Sequence, residues 1–172
     1  MMKDLIHPDR QFERDQVFMR EAILEAGEAA RKGEVPIGAV IVLNDHIIAK
    51  AHNLRETIED PTAHAEILAL REAAKVMKHW RLLGTTLYTT LEPCPMCAGA
   101  MVMARIKRLV FGALDPKAGA AGSIMNIVQD IRLNHRLDVT GMVMEKECSE
   151  LIKEFFKERR YNQNKNNPRR DG

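Results

Sequence analysis

The sequence predicts an α/β fold: a central mixed sheet of five strands with helices on both faces. Three observations point there. Two short strand-like runs, joined by Asn44-Asp45, read as a hairpin. Beyond it helical and strand patterns alternate, as they do where a sheet is covered on both sides. Near each end of the chain, apolar residues recur at helical spacing.

The elements follow in order. Asp15 to Lys32 reads as a helix, because Phe18, Ala22, Ala26, Ala29 and Ala30 recur at helical spacing between charges, and Gly33 is a stop signal. Pro36 to Leu43 is short, apolar and rich in Val and Ile, a buried strand; His46 to His52 returns beside it. Asn53 to Asp60 is polar, a loop. Pro61-Thr62 opens a helix to about Lys78, with Asp60 and Thr62 as candidate caps and Ile67, Leu68, Leu70 and Ala74 on its apolar side. His64 then falls in the first turn. Thr85 to Thr90 is an alternating, β-branched third strand. Glu92-Pro93-Cys94-Pro95 leads into a helix from Cys94 to about Arg105, and Arg108 to Gly112 forms a fourth strand. Asp115 to Ser123 is Gly-rich and expected to be flexible. A fifth strand is expected within Leu137 to Met144, although Gly141 weakens it. Cys148, Leu151, Ile152, Phe155 and Phe156 then mark an amphipathic helix ending near Arg160. The expected organisation is an N-terminal extension (1–14), one domain (15–160) and a basic tail (161–172) expected to be disordered.

The 172 residues, 45% of them hydrophobic, suffice for one domain with a real core. Met1 to Arg10 is charged and lacks the apolar region of a signal peptide. The longest apolar run is far too short to span a bilayer, so a cytoplasmic protein without membrane contact is expected. An odd cysteine count of 3 in such a chain argues against a disulfide framework. The net charge of +2 conceals an asymmetry: from Lys157 onward Lys157, Arg159, Arg160, Lys165, Arg169 and Arg170 face only Glu158 and Asp171, leaving the rest of the chain net acidic. Such an end suits a polyanionic partner or serves solubility alone.

The chemistry is concentrated in His64-Ala65-Glu66 and Pro93-Cys94-Pro95-Met96-Cys97. One imidazole and two thiols make three zinc ligands, and three protein ligands leave a tetrahedral ion one position for water. The cysteine pair sits at a helix start, where backbone N–H groups and the helix dipole favour thiolate. Zinc with two thiolates and a neutral imidazole is formally neutral and polarises water weakly, so a neighbouring base is needed. Glu66 is the candidate general acid–base residue. Hydroxide attack on an amidine-like carbon, with ammonia leaving, matches this equipment. Other readings stay open. A structural zinc site needs a fourth donor, to be sought among Cys148, His52 and His135, although Cys148 lies on an apolar helix face and reads as packing. A redox Cys-x-x-Cys is a third reading. Asn53, between a strand and a loop, reads on its own as an Asx-turn residue.

At these residues the chain resembles the zinc-dependent nucleoside and nucleobase deaminases, whose pattern is His-x-Glu followed by Pro-Cys-x-x-Cys. Within them it is most similar to the bacterial branch acting on adenosine in tRNA. The stretches that carry this are Val35-Pro36-Ile37-Gly38-Ala39-Val40, His52-Asn53, Thr62-Ala63-His64-Ala65-Glu66, Trp80-Arg81-Leu82-Leu83, Thr89-Thr90-Leu91-Glu92-Pro93-Cys94, Gly119-Ala120-Ala121-Gly122-Ser123 and Leu133-Asn134-His135-Arg136. The similarity runs from about Gln16 to about Arg160. It implies the three-layer α/β/α cytidine-deaminase-like fold, a zinc ion on His64, Cys94 and Cys97 in each subunit, and Glu66 as proton shuttle. The implied reaction converts adenosine to inosine at the anticodon wobble position by attack of zinc-activated hydroxide at C6. The resemblance further implies that Asn53 contacts the base, that the subunit pairs as a homodimer, and that Asp115, Phe155, Phe156, Arg159 and Arg160 help hold the anticodon stem-loop. Leu114-Asp115-Pro116 stands in the loop concerned. Two alternatives remain: a deaminase of a free base or nucleotide of guanine or cytosine type, and a zinc-stabilised RNA-binding module without catalysis.

Overall fold

A computed structural model describes residues 8–166. Its element order is α1 (Pro8–Arg31), β1 (Gly38–Leu43), β2 (His46–His52), α2 (Ala65–Met77), β3 (Thr86–Leu91), α3 (Pro95–Met103), β4 (Arg108–Ala113), β5 (Asp138–Thr140) and α4 (Glu145–Asn166). The strands form one sheet in the order β2-β1-β3-β4-β5. β1 is antiparallel to β2 and β3, whereas β3–β4 and β4–β5 are parallel, so the sheet is mixed as expected.

The hairpin turn explains itself. Asn44 and Asp45 both take positive φ, 49° and 63°, the twist that a tight β-hairpin needs and that these two residue types tolerate. A bulge between Ile41 and Val42 absorbs a register shift within the pair.

Alternation along the strands sends side chains to two apolar layers. On one face Ile41, Leu87, Leu109 and Phe111 pack with Ala65, Ala69, Cys97 and Met101 of α2 and α3. On the other, Val40, Tyr88 and Val110 pack with Met19 and Ala22 of α1 and Cys148 of α4. Gly38 permits the closest of these approaches: a Cβ there would lie 2.1 Å from the Ala22 carbonyl oxygen. The second layer also contains a buried ion pair. Arg108 donates to both oxygens of Asp15, at 2.7 and 2.6 Å, and Tyr88 donates its hydroxyl to Asp15 at 2.9 Å. Burial and the neighbouring Asp15 push the Tyr88 hydroxyl far above the ordinary tyrosine range. No helix among the described residues is long and apolar enough to cross a membrane.

Several boundaries differ from the sequence expectation. α1 begins at Pro8, where proline suits the first helical turn, so residues 8–14 of the expected extension are helical. α4 runs to Asn166, beyond the expected end near Arg160, taking residues 161–166 from the expected disordered tail; the rest of that tail lies outside the described residues. α2 starts at Ala65, and His64 is its N-cap rather than a first-turn residue. Asp60 does not cap α2: it accepts from Thr62 N–H and Oγ, both at 2.7 Å, and makes a turn before it. The loop from Asp115 to Ser123, expected to be flexible, is anchored through Glu92.

Candidate active site

His64 and Cys94 occupy equivalent places, the N-caps of α2 and α3, both with extended backbone. Pro61 precedes the first helix, and Pro95 opens the second at a position where a missing N–H costs nothing. Cys97 follows on the first turn of α3 and is buried, so the two helix starts converge from neighbouring segments. His64 Nδ1 stands 3.6 Å from Cys94 Sγ and 3.5 Å from Cys97 Sγ. All three ligand atoms lie within 4.8 Å of one another. Nitrogen and sulfur donors on a tetrahedral zinc, with bonds of ~2.1 and ~2.3 Å, stand about 3.6 Å apart, so this donor set fits zinc in both chemistry and spacing.

The fourth-donor candidates are elsewhere. Cys148 packs in the layer on the opposite face of the sheet. His52 faces α1, with Nδ1 2.8 Å from Glu25 Oε2 and Nε2 2.9 Å from Lys32 Nζ. His135 Nε2 meets the carbonyl oxygen of Ile106 at 2.6 Å. Among the described residues the cluster of metal-ligating type here is His64, Cys94 and Cys97, the composition of a site with an open position.

Glu66 sits beside them, in the first turn of α2, and is only 3% exposed. Its Oε2 is buried without a hydrogen-bond partner, which is costly unless something else meets it. Burial pushes this carboxyl up to about 7; its own backbone N–H, the His64 charge and the Cys97 thiol oppose that rise only in part. The two thiols act as a pair. The hydrogen bond from Cys97 draws Cys94 down to about 4, with His64 adding to the effect, while Cys97 itself is raised by that bond and by burial. Metal binding to such a pair requires both sulfurs as thiolates and so releases protons.

Two further carboxylates, given no role by sequence reasoning, build the surroundings. Glu92, at the end of β3 and 1% exposed, accepts from the backbone N–H groups of Asp115, Ala121 and Ser123, each at 3.0 Å, and from the Ser123 hydroxyl. Burial would raise its pKa, but the donors from Ser123, Asp115 and Ala121 together lower it. Gly119 makes room for it, since a Cβ there would lie 2.3 Å from Glu92 Oε2. Glu34, completely buried, accepts from Asn53 Nδ2 and from Thr57. For Glu92 the signal was a charge inside the uncharged run Thr89-Thr90-Leu91-Glu92-Pro93-Cys94; Glu34, next to Arg31-Lys32, carried no such signal.

The remaining expected residues are spread around this centre. Asn53 is 3% exposed at the end of β2, and the N–H of the next residue, Leu54, bonds the carbonyl oxygen of Ala63 beside His64. Asp115 is half-buried, and its Oδ1 accepts from Lys117 N–H at 2.9 Å and Ala118 N–H at 3.2 Å, an Asx turn within its own loop. Asp115 and Phe156 line one cleft of about 400 Å³ between that loop and α4. Arg159 and Arg160 lie exposed on the following turn of α4, outside the metal centre.

Residues 13–160 match the family model of the MafB19-like deaminases. The chain is 56% identical over 146 residues to the tRNA-specific adenosine deaminase of Bacillus subtilis, a match covering 85% of this chain and 91% of that one. The chain is a member of the tRNA-specific adenosine deaminase family. Among solved structures, a tRNA:A34 deaminase from work on A-to-I editing at the wobble position superposes with a TM-score of 0.76 at 44% identity, covering 78% of this chain and 98% of that one. A guanine deaminase from Bacillus subtilis matches with a TM-score of 0.55 at 44% identity, covering 58% of this chain and 64% of that one. For this adenosine deaminase family member the three-layer mixed sheet and the His/Cys/Cys donor set agree with its relatives' deaminase class.

Proposed function

We propose that the protein hydrolyses adenosine to inosine at the wobble position of a tRNA anticodon. The observation that carries this is the donor triad at two helix starts, with the buried, unpartnered oxygen of Glu66 beside it. His64, Cys94 and Cys97 would hold one zinc ion per subunit, which when bound supplies a Lewis acid that activates water. The chain does the rest. Glu66, with a pKa near neutrality, takes a proton from water and delivers it to the substrate, first to the ring and then to the departing amine. The C6–N bond breaks, a C6–O bond forms, and water and adenosine become ammonia and inosine. Burial of Glu66 keeps bulk water from short-circuiting the transfer. Asn53 meets the base. The cleft between Asp115 and Phe156, with Arg159 and Arg160 beyond it, serves the anticodon stem-loop, whose unpaired bases are cheap to extrude.

The partner of the subunit is a second copy. Beside α2 and α3, the exposed side chains of Trp80, in the turn after α2 (54% exposed), and Met103 (66%) edge a depression of about 360 Å³ that also contains Ile67, Leu70 and Ala100, an apolar face on which a second copy would sit.

The test is to incubate pure protein with tRNA and sequence the anticodon, with folded tRNA, the stem-loop and free nucleosides assayed in parallel. Inosine at the wobble position, with free nucleosides much slower, is the expected result. The likeness to a guanine deaminase supports a second reading, turnover of a free base; equal rates on free base and stem-loop would favour it. A zinc-stabilised module without catalysis would bind the stem-loop and leave it unmodified.

A further inference from the structure

Glu34 lies on the connection between α1 and β1 and is 0% exposed. Its two oxygens have different partners. Oε1 accepts from Thr57 N–H at 2.7 Å and Thr57 Oγ at 2.8 Å, which ties down the loop after β2. Oε2 accepts from Nδ2 of Asn53 at 3.1 Å.

We propose that Glu34 is a positioning residue for base recognition: by offering only acceptors, it locks the Asn53 amide in one of its two flip states. This rests on the reading of Asn53 as the residue that meets the base. An ionised carboxylate has no hydrogen to donate, so Asn53 faces it with Nδ2 and never with Oδ1. One N–H and the carbonyl oxygen then remain, at fixed places, for the substrate. The ends of an amide have nearly the same shape and opposite polarity. An adenine edge sets an acceptor, N7, beside a donor, the N6 amine. Such an edge is complementary to one flip state and opposed by the other, so packing alone does not select between them and a charged acceptor behind the amide does.

The informative variant is Glu34→Gln. Glutamine keeps an oxygen for Thr57 and turns an NH2 group toward Asn53, which answers by inverting its amide. Kinetics on an anticodon stem-loop are measured for the wild type, Glu34→Gln, Asn53→Ala and the double variant, with thermal midpoint and zinc content read alongside. The expected result is a loss of about tenfold or more in kcat/KM for Glu34→Gln. In the Asn53→Ala background the same change costs less than about twofold, because its effect passes through the missing amide. Wild-type kinetics for Glu34→Gln would overturn the proposal. So would an equal loss in both backgrounds, which would make Glu34 a brace for the loop alone. Wild-type kinetics for Asn53→Ala would instead overturn the reading of Asn53 itself and this proposal with it.

Discussion

At the scale of single residues, burial sorts the carboxylates into different jobs. Glu66 is buried with an oxygen lacking a partner, and its pKa rises to about 7. Glu34 is buried among donors, and its pKa falls: burial works against ionisation, but the hydrogen bonds from Thr57 and Glu56 and the charge of Arg55 prevail. Glu66→Gln is expected to keep zinc and fold while lowering kcat by roughly 10²–10⁴-fold, as loss of general acid–base transfer does; single-turnover assays on a stem-loop measure it. The sign for Glu34 is opposite to that for a group stored protonated. Its folded pKa lies below the unfolded 4.5, so its stabilisation is present above that value and is lost as pH falls through the folded pKa. Denaturant unfolding of wild type and Glu34→Gln across pH 3 to 7 checks this: the gap between them should narrow on the acid side and stay constant above about pH 5.

At the scale of elements, the site is made where helices begin. Most of this was legible in sequence. The hairpin was readable because Asn44-Asp45 tolerates positive φ, and the ligand triad because His-x-Glu and Cys-x-x-Cys each precede an apolar run. The exact helix starts were not, since His64 and Cys94 hold N-cap positions with side chains that carry no cap signal. The loop from Asp115 to Ser123 was misjudged for a related reason: its glycines suggest freedom, and the carboxylate that binds it lies 23 residues earlier at Asp115 and 31 at Ser123. Long-range hydrogen bonds leave no local pattern. Gly119→Ala, which would thrust a Cβ against Glu92 and the Asp115 carbonyl oxygen, should destabilise the protein by about 2 kcal/mol and weaken stem-loop turnover; urea unfolding measures the first.

At the scale of the whole molecule, the asymmetry of charge bears on the proposed tRNA substrate. Truncation after Asn166 removes Arg169, Arg170 and Asp171, and should weaken stem-loop binding and flatten its salt dependence by about one charge; affinities between low and high salt report it. The homodimer proposed above predicts that Met103→Glu, beside the exposed Trp80, shifts sedimentation from dimer to monomer; an unchanged sedimentation coefficient would overturn that pairing face. The sheet itself has a further consequence. The His64, Cys94 and Cys97 cluster belongs to the layer of α2 and α3, while Asp15, Arg108 and Tyr88 join elements on the other face of the sheet. Chelation should thus peel the molecule along one side: amides of both ligand-bearing helices would exchange with deuterium sooner and in concert, whereas those behind β1 and β4 keep their wild-type protection.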